Sequence, residues 1–241
     1  MTLTLILAFI AAILVGLSKA GLKGLGLVVV ALMANAYGAK ASTGILVPLF
    51  LIGDILSVVY YKKHVKWKYL YRFLPAMVIG VLVAVFVGKN LDEDAFKYWM
   101  AVIIILSVLI LFYRDYKKKV TFPKNPIFAY SMGITAGFTT MLGNLAGAFT
   151  NIFFLATRLP KNEIIGTTAW LYLLINVFKM PFHIFSWKTI HMESIYIDLM
   201  LAPIVIVGFL IGLKIVKYFT EDLYRKFLLV ATILGAIFII I

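Results

Sequence analysis

The sequence predicts an all-α membrane protein made of two inverted-topology repeats of about five hydrophobic segments each, some of them broken or re-entrant. Composition is the first reason. Hydrophobic residues make up 63% of the 241-residue chain and charged ones 14%, against about 45–50% and about 25% in an ordinary soluble domain. The second reason is an ordered series of apolar runs flanked by charges, glycine or proline. The third is an internal repeat: Pro75, Gly80, Leu82, Lys89, Glu93 and Asp94 recur 128 positions later as Pro203, Gly208, Leu210, Lys217, Glu221 and Asp222. Phe96 and Lys97 return in kind as Tyr224 and Arg225.

Ten apolar segments follow in order, over 2–17, 22–38, 43–61, 70–88, 97–113, 126–141, 145–157, 164–185, 195–216 and 225–241. Met1 to Ser18 carry no side-chain charge and lack the basic leader of a secretory signal, so they read as a retained first helix. Several segments are shorter than the ~20 residues of a straight span, as discontinuous helices are. From Asn125 to Thr157 there are 33 uncharged residues. As one helix they would run roughly 50 Å, beyond a ~30 Å hydrocarbon core, so the chain must break near Gly143 and Asn144. Pro181 is expected to kink or end the eighth segment. The whole, 1–241, is expected to be a single polytopic membrane domain, with repeat 1 over 1–118 and repeat 2 over 125–241.

Loop charge orients these segments. The third connection (Lys62, Lys63, Lys66, Lys68, Arg72) and the fifth (Arg114, Lys117, Lys118, Lys119, Lys124) are strongly basic, whereas Asp92, Glu93 and Asp94 make the fourth slightly acidic. Odd connections are therefore cytoplasmic, and ten crossings put both termini outside. The basic stretch Lys62–Lys68 corresponds to the nearly neutral Ser186–Ser194, and the acidic Lys89–Lys97 to the net positive Lys217–Lys226. Equivalent loops thus reverse charge, as an inverted repeat requires. In the earlier part of each half the offset is 122, pairing Gly21 with Gly143, Gly44 with Gly166 and Asp54 with Asn176. Tyr60, Tyr61, Trp67, Tyr113 and Trp187 lie at segment ends, where an aromatic belt sits.

The net charge of +13 fits a cytoplasmic membrane edge better than a nucleic-acid surface, because the lysines flank apolar runs. The expected partner on this ground is the lipid bilayer, with no nucleic acid, and nothing sets an oligomeric state. Cysteine is absent, and His64, His183 and His191 share no ligand spacing, so no metal and no cofactor is implied. An intramembrane protease would need a nucleophile and base, or two facing aspartates, and Asp54 reads as the only acid deep in an apolar segment. The chain is not read as an enzyme.

An anion entering a low-dielectric interior must exchange its hydration for fixed donors, and the free amides of a helix start supply them. Gly21, Gly24 and Gly26 in one half and Gly143, Asn144 and Gly147 in the other form the candidate cradle. Ser18, Thr139, Thr140, Thr150 and Asn151 are candidate side-chain donors. Any single glycine fits close helix packing equally well, but the necessary break weights the Gly143 and Asn144 pair toward function. Lys19 and Lys23, four apart, share a helix face; Lys19 reads rather as a flanking charge reaching the headgroups, and Lys23 is evenly balanced between that and substrate attraction. Asp54 is the candidate for binding or relaying a coupling proton, or for pairing with a cation such as Lys179, since a carboxylate there is costly. Asn176 and Lys179 share one face, with Thr167, Thr168 and Trp170 one to two turns earlier, and Asn176 fits interhelical glue as well.

Four blocks also carry a resemblance. GLSKAGLKGLGL (16–27), GILVPLFLIGDILSVVYYKKHVKWKYLYRFLP (44–75), GFTTMLGNLAG (137–147) and GTTAWLYLLINVFKMPF (166–182) together resemble the TauE/SafE family across essentially the whole chain. Lys19, Leu22, Lys23 and Leu25 interrupt the longer glycine cluster that many members carry. The resemblance implies a prokaryotic permease or exporter of sulfite, sulfonates or related small organic anions, multi-pass in the inner (plasma) membrane. The expected function is secondary transport by alternating access, with a proton or another ion as coupling partner. The alternative is an anion channel, which uses the same donors.

Overall fold

The computed structural model describes residues 2–99, 102–103, 126–157, 159–220, 222–224 and 226–227. Most of segments 97–113 and 225–241, the basic connection 114–124, Tyr113, Glu221 and Arg225 lie outside the described residues. The described chain is helical throughout: α1 Thr2–Lys19, α2 Leu25–Tyr37, α3 Ala39–Tyr61, α4 Trp67–Lys89, α5 Pro126–Gly143, α6 Ala146–Thr157, α7 Lys161–Pro181 and α8 Met192–Lys217. Among the described residues four helical stretches are long and apolar enough to cross a bilayer, built on α3, α4, α7 and α8. The chain is an all-α, multi-pass membrane protein.

Helices α2 and α6 are the short ones, at 13 and 12 residues, and both follow a break. The first break is made by Gly21 and Gly24, at φ 130° and 109°, where a side chain would be strained. The second turns on Asn144, at φ 58°, the residue type that tolerates this region best after glycine. Both breaks fall where glycine and asparagine placed them in the sequence, and both are buried rather than looped into solvent. Helix α3 starts at Ala39, earlier than its apolar run, because Lys40 is held at the surface by its ammonium on the Leu91 carbonyl (2.7 Å) and by Glu93 on its backbone amide (3.2 Å). Helix α7 ends at Pro181 and passes into one turn of π-helix, Phe182–Ser186. Pro48, Pro75 and Pro203, by contrast, lie inside continuing helices.

Packing relies on glycine. Helix α1 lies against α2 and α8, α4 against α5, and α3 against α7. A Cβ on Gly16 would stand 2.2 Å from the Val205 carbonyl oxygen, and one on Gly137 2.0 Å from that of Met77. No side chain fits at either crossing. Val205 stands 128 positions after Met77, and the α1–α8 and α4–α5 crossings meet in the same way. Along α3 and α7, Gly44 approaches Thr189 and Gly166 approaches Tyr61 and His64, so these helices run antiparallel. Two expected belt residues are instead buried: the Tyr61 hydroxyl donates to Ala20 O (2.8 Å) and the Trp187 indole N–H to Val85 O (3.3 Å). Their polar tips found backbone carbonyls inside the bundle. Trp67 remains at the surface, stacked on Tyr71.

Candidate functional site

The two breaks meet at one cavity of about 70 Å³. By the same measure a single water needs about 10–15 Å³, so the space holds more than one water. Its wall includes Gly24, Gly26 and Leu27 from the start of α2, and Leu145, Ala146 and Gly147 from the start of α6. Two helix N-termini, each with unbonded amides and a partial positive charge, therefore border the same space. A Cβ at Gly26 or Gly147 would meet nothing within 4 Å. These two glycines leave open volume at the cavity, whereas Gly21 packs against Ile165 and does not line it.

At the middle of the antiparallel pair α3 and α7, Asn176 Nδ2 donates to Asp54 Oδ2 at 2.6 Å. The carboxylate's other oxygen takes Lys19 Nζ at 2.7 Å. Asp54 is fully buried and the Lys19 side chain is 10% exposed. Lys19 is thus the cation that answers Asp54, not a headgroup-seeking flank, and Lys179 is not the ion-pair partner. The reason is geometric: the Lys19 stem lies across Gly53, where a Cβ would stand 2.6 Å from its Cγ, so the ammonium turns inward. It lies 4.4 Å from the Phe50 ring centre and 5.1 Å from that of Tyr172, within cation–π range.

Lys179 is also fully buried, and neutral oxygens hold it. It donates to Thr140 O (3.1 Å), Thr140 Oγ1 (3.2 Å) and Asn144 Oδ1. Asn144 in turn donates to Thr43 O at 3.1 Å, tying the second break to α3. Lys23 differs from both. Its ammonium is buried at the cavity wall, 5.5 Å from the Tyr172 ring centre, with no hydrogen-bond partner among the described residues. Asn151 Nδ2, on the same wall, is equally unpartnered.

Of the residues singled out in the sequence, Lys23, Gly24, Asp54, Asn144, Asn151 and Asn176 border the cavity, as do Ser18, Lys19, Gly26, Thr140 and Gly147. Lys179 stands one contact behind it. Gly143 ends α5 beside the break. Thr139 turns its hydroxyl to its own helix at Ala136 O, and Thr167 lies apart, accepting from the Lys66 amide (2.9 Å) and donating to Glu163 O (2.6 Å) near the Lys66–Glu163 surface pair. Tyr172, Phe50 and Ser57 were not singled out but line the cavity. Tyr172 shares a hydrogen bond with Thr150. Its position one turn before Asn176 was the available signal. His183 is buried, with Nδ1 hydrogen-bonded to the Thr189 hydroxyl at 2.8 Å.

A multi-pass bundle with two broken helices meeting at a buried, cation-rich cavity has the form of a membrane transporter. A family model described as "Sulfite exporter TauE/SafE" matches residues 7–239, and the chain belongs to that family. No curated protein and no solved structure matches it. The family is one of membrane transporters, and the chain is accordingly a membrane transporter.

Proposed function

We propose that this protein is a secondary transporter of small anions, sulfite, sulfonates or related organic anions, working by alternating access in the inner (plasma) membrane of a prokaryote. The observation that carries this reading is the pair of unpartnered buried donors, Lys23 Nζ and Asn151 Nδ2, facing one cavity between two helix starts. A buried donor without a partner costs free energy, more for a charged group, and an oxyanion offers several acceptors at once. The formal charges agree: the ammoniums of Lys19, Lys23 and Lys179 face one carboxylate, Asp54. Inverted repeats account for the contact of the equivalent residues Asp54 and Asn176 and for the matching crossings at Gly16 and Gly137. Rocking of the halves about that contact would expose the cavity to each side in turn, and direction would follow the imposed gradients. Asp54 is the coupling candidate: an anion that draws Lys19 away leaves its carboxylate with Asn176 alone, a state that favours taking up a proton.

Purified protein in proteoliposomes tests this with labelled sulfite, and thermal shift extends the test to thiosulfate, sulfoacetate, taurine and simple carboxylates. Saturable flux accelerated by unlabelled sulfite on the opposite side is expected. Flux that never saturates and shows no counterflow would instead mean a channel, and stabilisation by neutral or cationic solutes alone would sink the anion reading.

A further inference from the structure

The sequence singled out one intramembrane acid, yet the structure buries a second. Asp198, in the second turn of α8, is 4% exposed, and both carboxylate oxygens lack a hydrogen-bond partner among the described residues. It borders a second cavity whose other walls are apolar: Pro48, Leu51 and Ile52 of α3, Met180 of α7, Ile190, and Ile195 and Leu199 of its own helix. No described residue lines both cavities.

We propose that Asp198 is a proton-binding site of this protein, distinct from the anion cavity. A hard cation would need several oxygen ligands, and the cavity offers one carboxyl group among hydrocarbon walls. A lone ionised carboxylate in such surroundings lacks every form of compensation, whereas the acid form carries no charge to solvate. The ligand is therefore a proton. Of the elements packed against it, α3 and α7 present Pro48, Leu51, Ile52 and Met180, none of them titratable, and the titratable group nearby on α2 is the Tyr37 phenol. On its own chain, His191 and Glu193 lie toward the exposed start of α8, with the imidazole 3.9 Å from the Glu193 carboxylate.

Helix α3 is the wall between the two sites. Phe50, Asp54 and Ser57 face the anion cavity, and Pro48, Leu51 and Ile52 face Asp198. Loss of the proton requires water or another proton acceptor to reach Asp198, and displacement of this stretch of α3 is the movement that admits one.

Dicyclohexylcarbodiimide tests the site, because it enters apolar cavities and reacts with a carboxylic acid but not with its carboxylate. Peptide mapping of the unsubstituted protein is expected to find the adduct on Asp198 at neutral and acidic pH and to lose it at alkaline pH. No adduct at acidic pH, or one indifferent to pH, overturns the assignment, and neither result depends on any anion binding. Hydrogen exchange over Leu49–Ile52, corrected for intrinsic rates, is expected to quicken at alkaline pH in the unsubstituted protein and not in D198N. Equal exchange at both pH values in the unsubstituted protein overturns the role of α3.

Discussion

Lys19 and Lys179 are both buried in the middle of the bundle, but they are held by opposite means. Lys19 has a carboxylate at 2.7 Å; Lys179 has a carbonyl, a hydroxyl and an amide oxygen. An ion pair leaves little net field, whereas neutral oxygens solvate the ammonium and leave its charge in place. Lys19 is therefore electrically balanced by its partner, and Lys179 is not. Lys23, with no partner at all, adds to the imbalance. The difference comes down to two side chains in contact: Asp54 offers Lys19 a carboxylate, whereas Asn176 beside it offers only an amide.

The strongest way to break this comparison is Asp54→Asn. It leaves Lys19 buried beside a neutral amide, and removing one partner of a buried pair costs about 3–5 kcal/mol. Equilibrium unfolding in detergent should show that loss together with abolished pH dependence of sulfite flux; a change of under about 1 kcal/mol would mean that Lys19 finds another partner. Next comes Lys23→Met. A hydrogen bond to a charged group is worth about 1.5–3 kcal/mol, so sulfite affinity should weaken about ten- to a hundredfold with no loss of stability, read from concentration-dependent thermal shifts.

Lys179→Met sharpens the contrast with Asp54. Stranding the Thr140 and Asn144 oxygens costs about 1–3 kcal/mol, so its unfolding penalty should fall below that of Asp54→Asn. The smallest effect is expected from Gly26→Ala. With open space around the new Cβ, the helix should gain about 0.4–1 kcal/mol from reduced unfolded-state freedom while sulfite uptake slows, because the methyl group occupies the cavity.

Much of the fold was legible because its signals are local. Gly21, Gly24 and Asn144 announce backbone breaks by what their own φ angles tolerate, and apolar run length limits what each helix can span. Pairing was not legible. Lys19 read as a flank because its neighbours in sequence are small and apolar; only the approach of α3, with Gly53 beneath the lysine stem, turns it inward. Asp198 sits near the start of a long apolar run and was not singled out; it is the packing of α3 and α7 against α8 that buries it. Thr167 erred in the other direction, sharing a helix with Asn176 while standing about two and a half turns away, where its hydroxyl serves the Lys66–Glu163 end of the bundle.

By itself, then, the sequence determined that this chain lives in a bilayer, where its helices break, and which few polar residues its interior must accommodate. Those properties follow from transfer free energy and backbone sterics, which act residue by residue. The tertiary structure alone decided which ammonium meets Asp54, which unpartnered donors face the cavity, and that Asp198 is buried among hydrocarbon side chains. Each of these depends on side chains more than thirty residues apart coming within a few ångströms, and no local periodicity encodes such an approach.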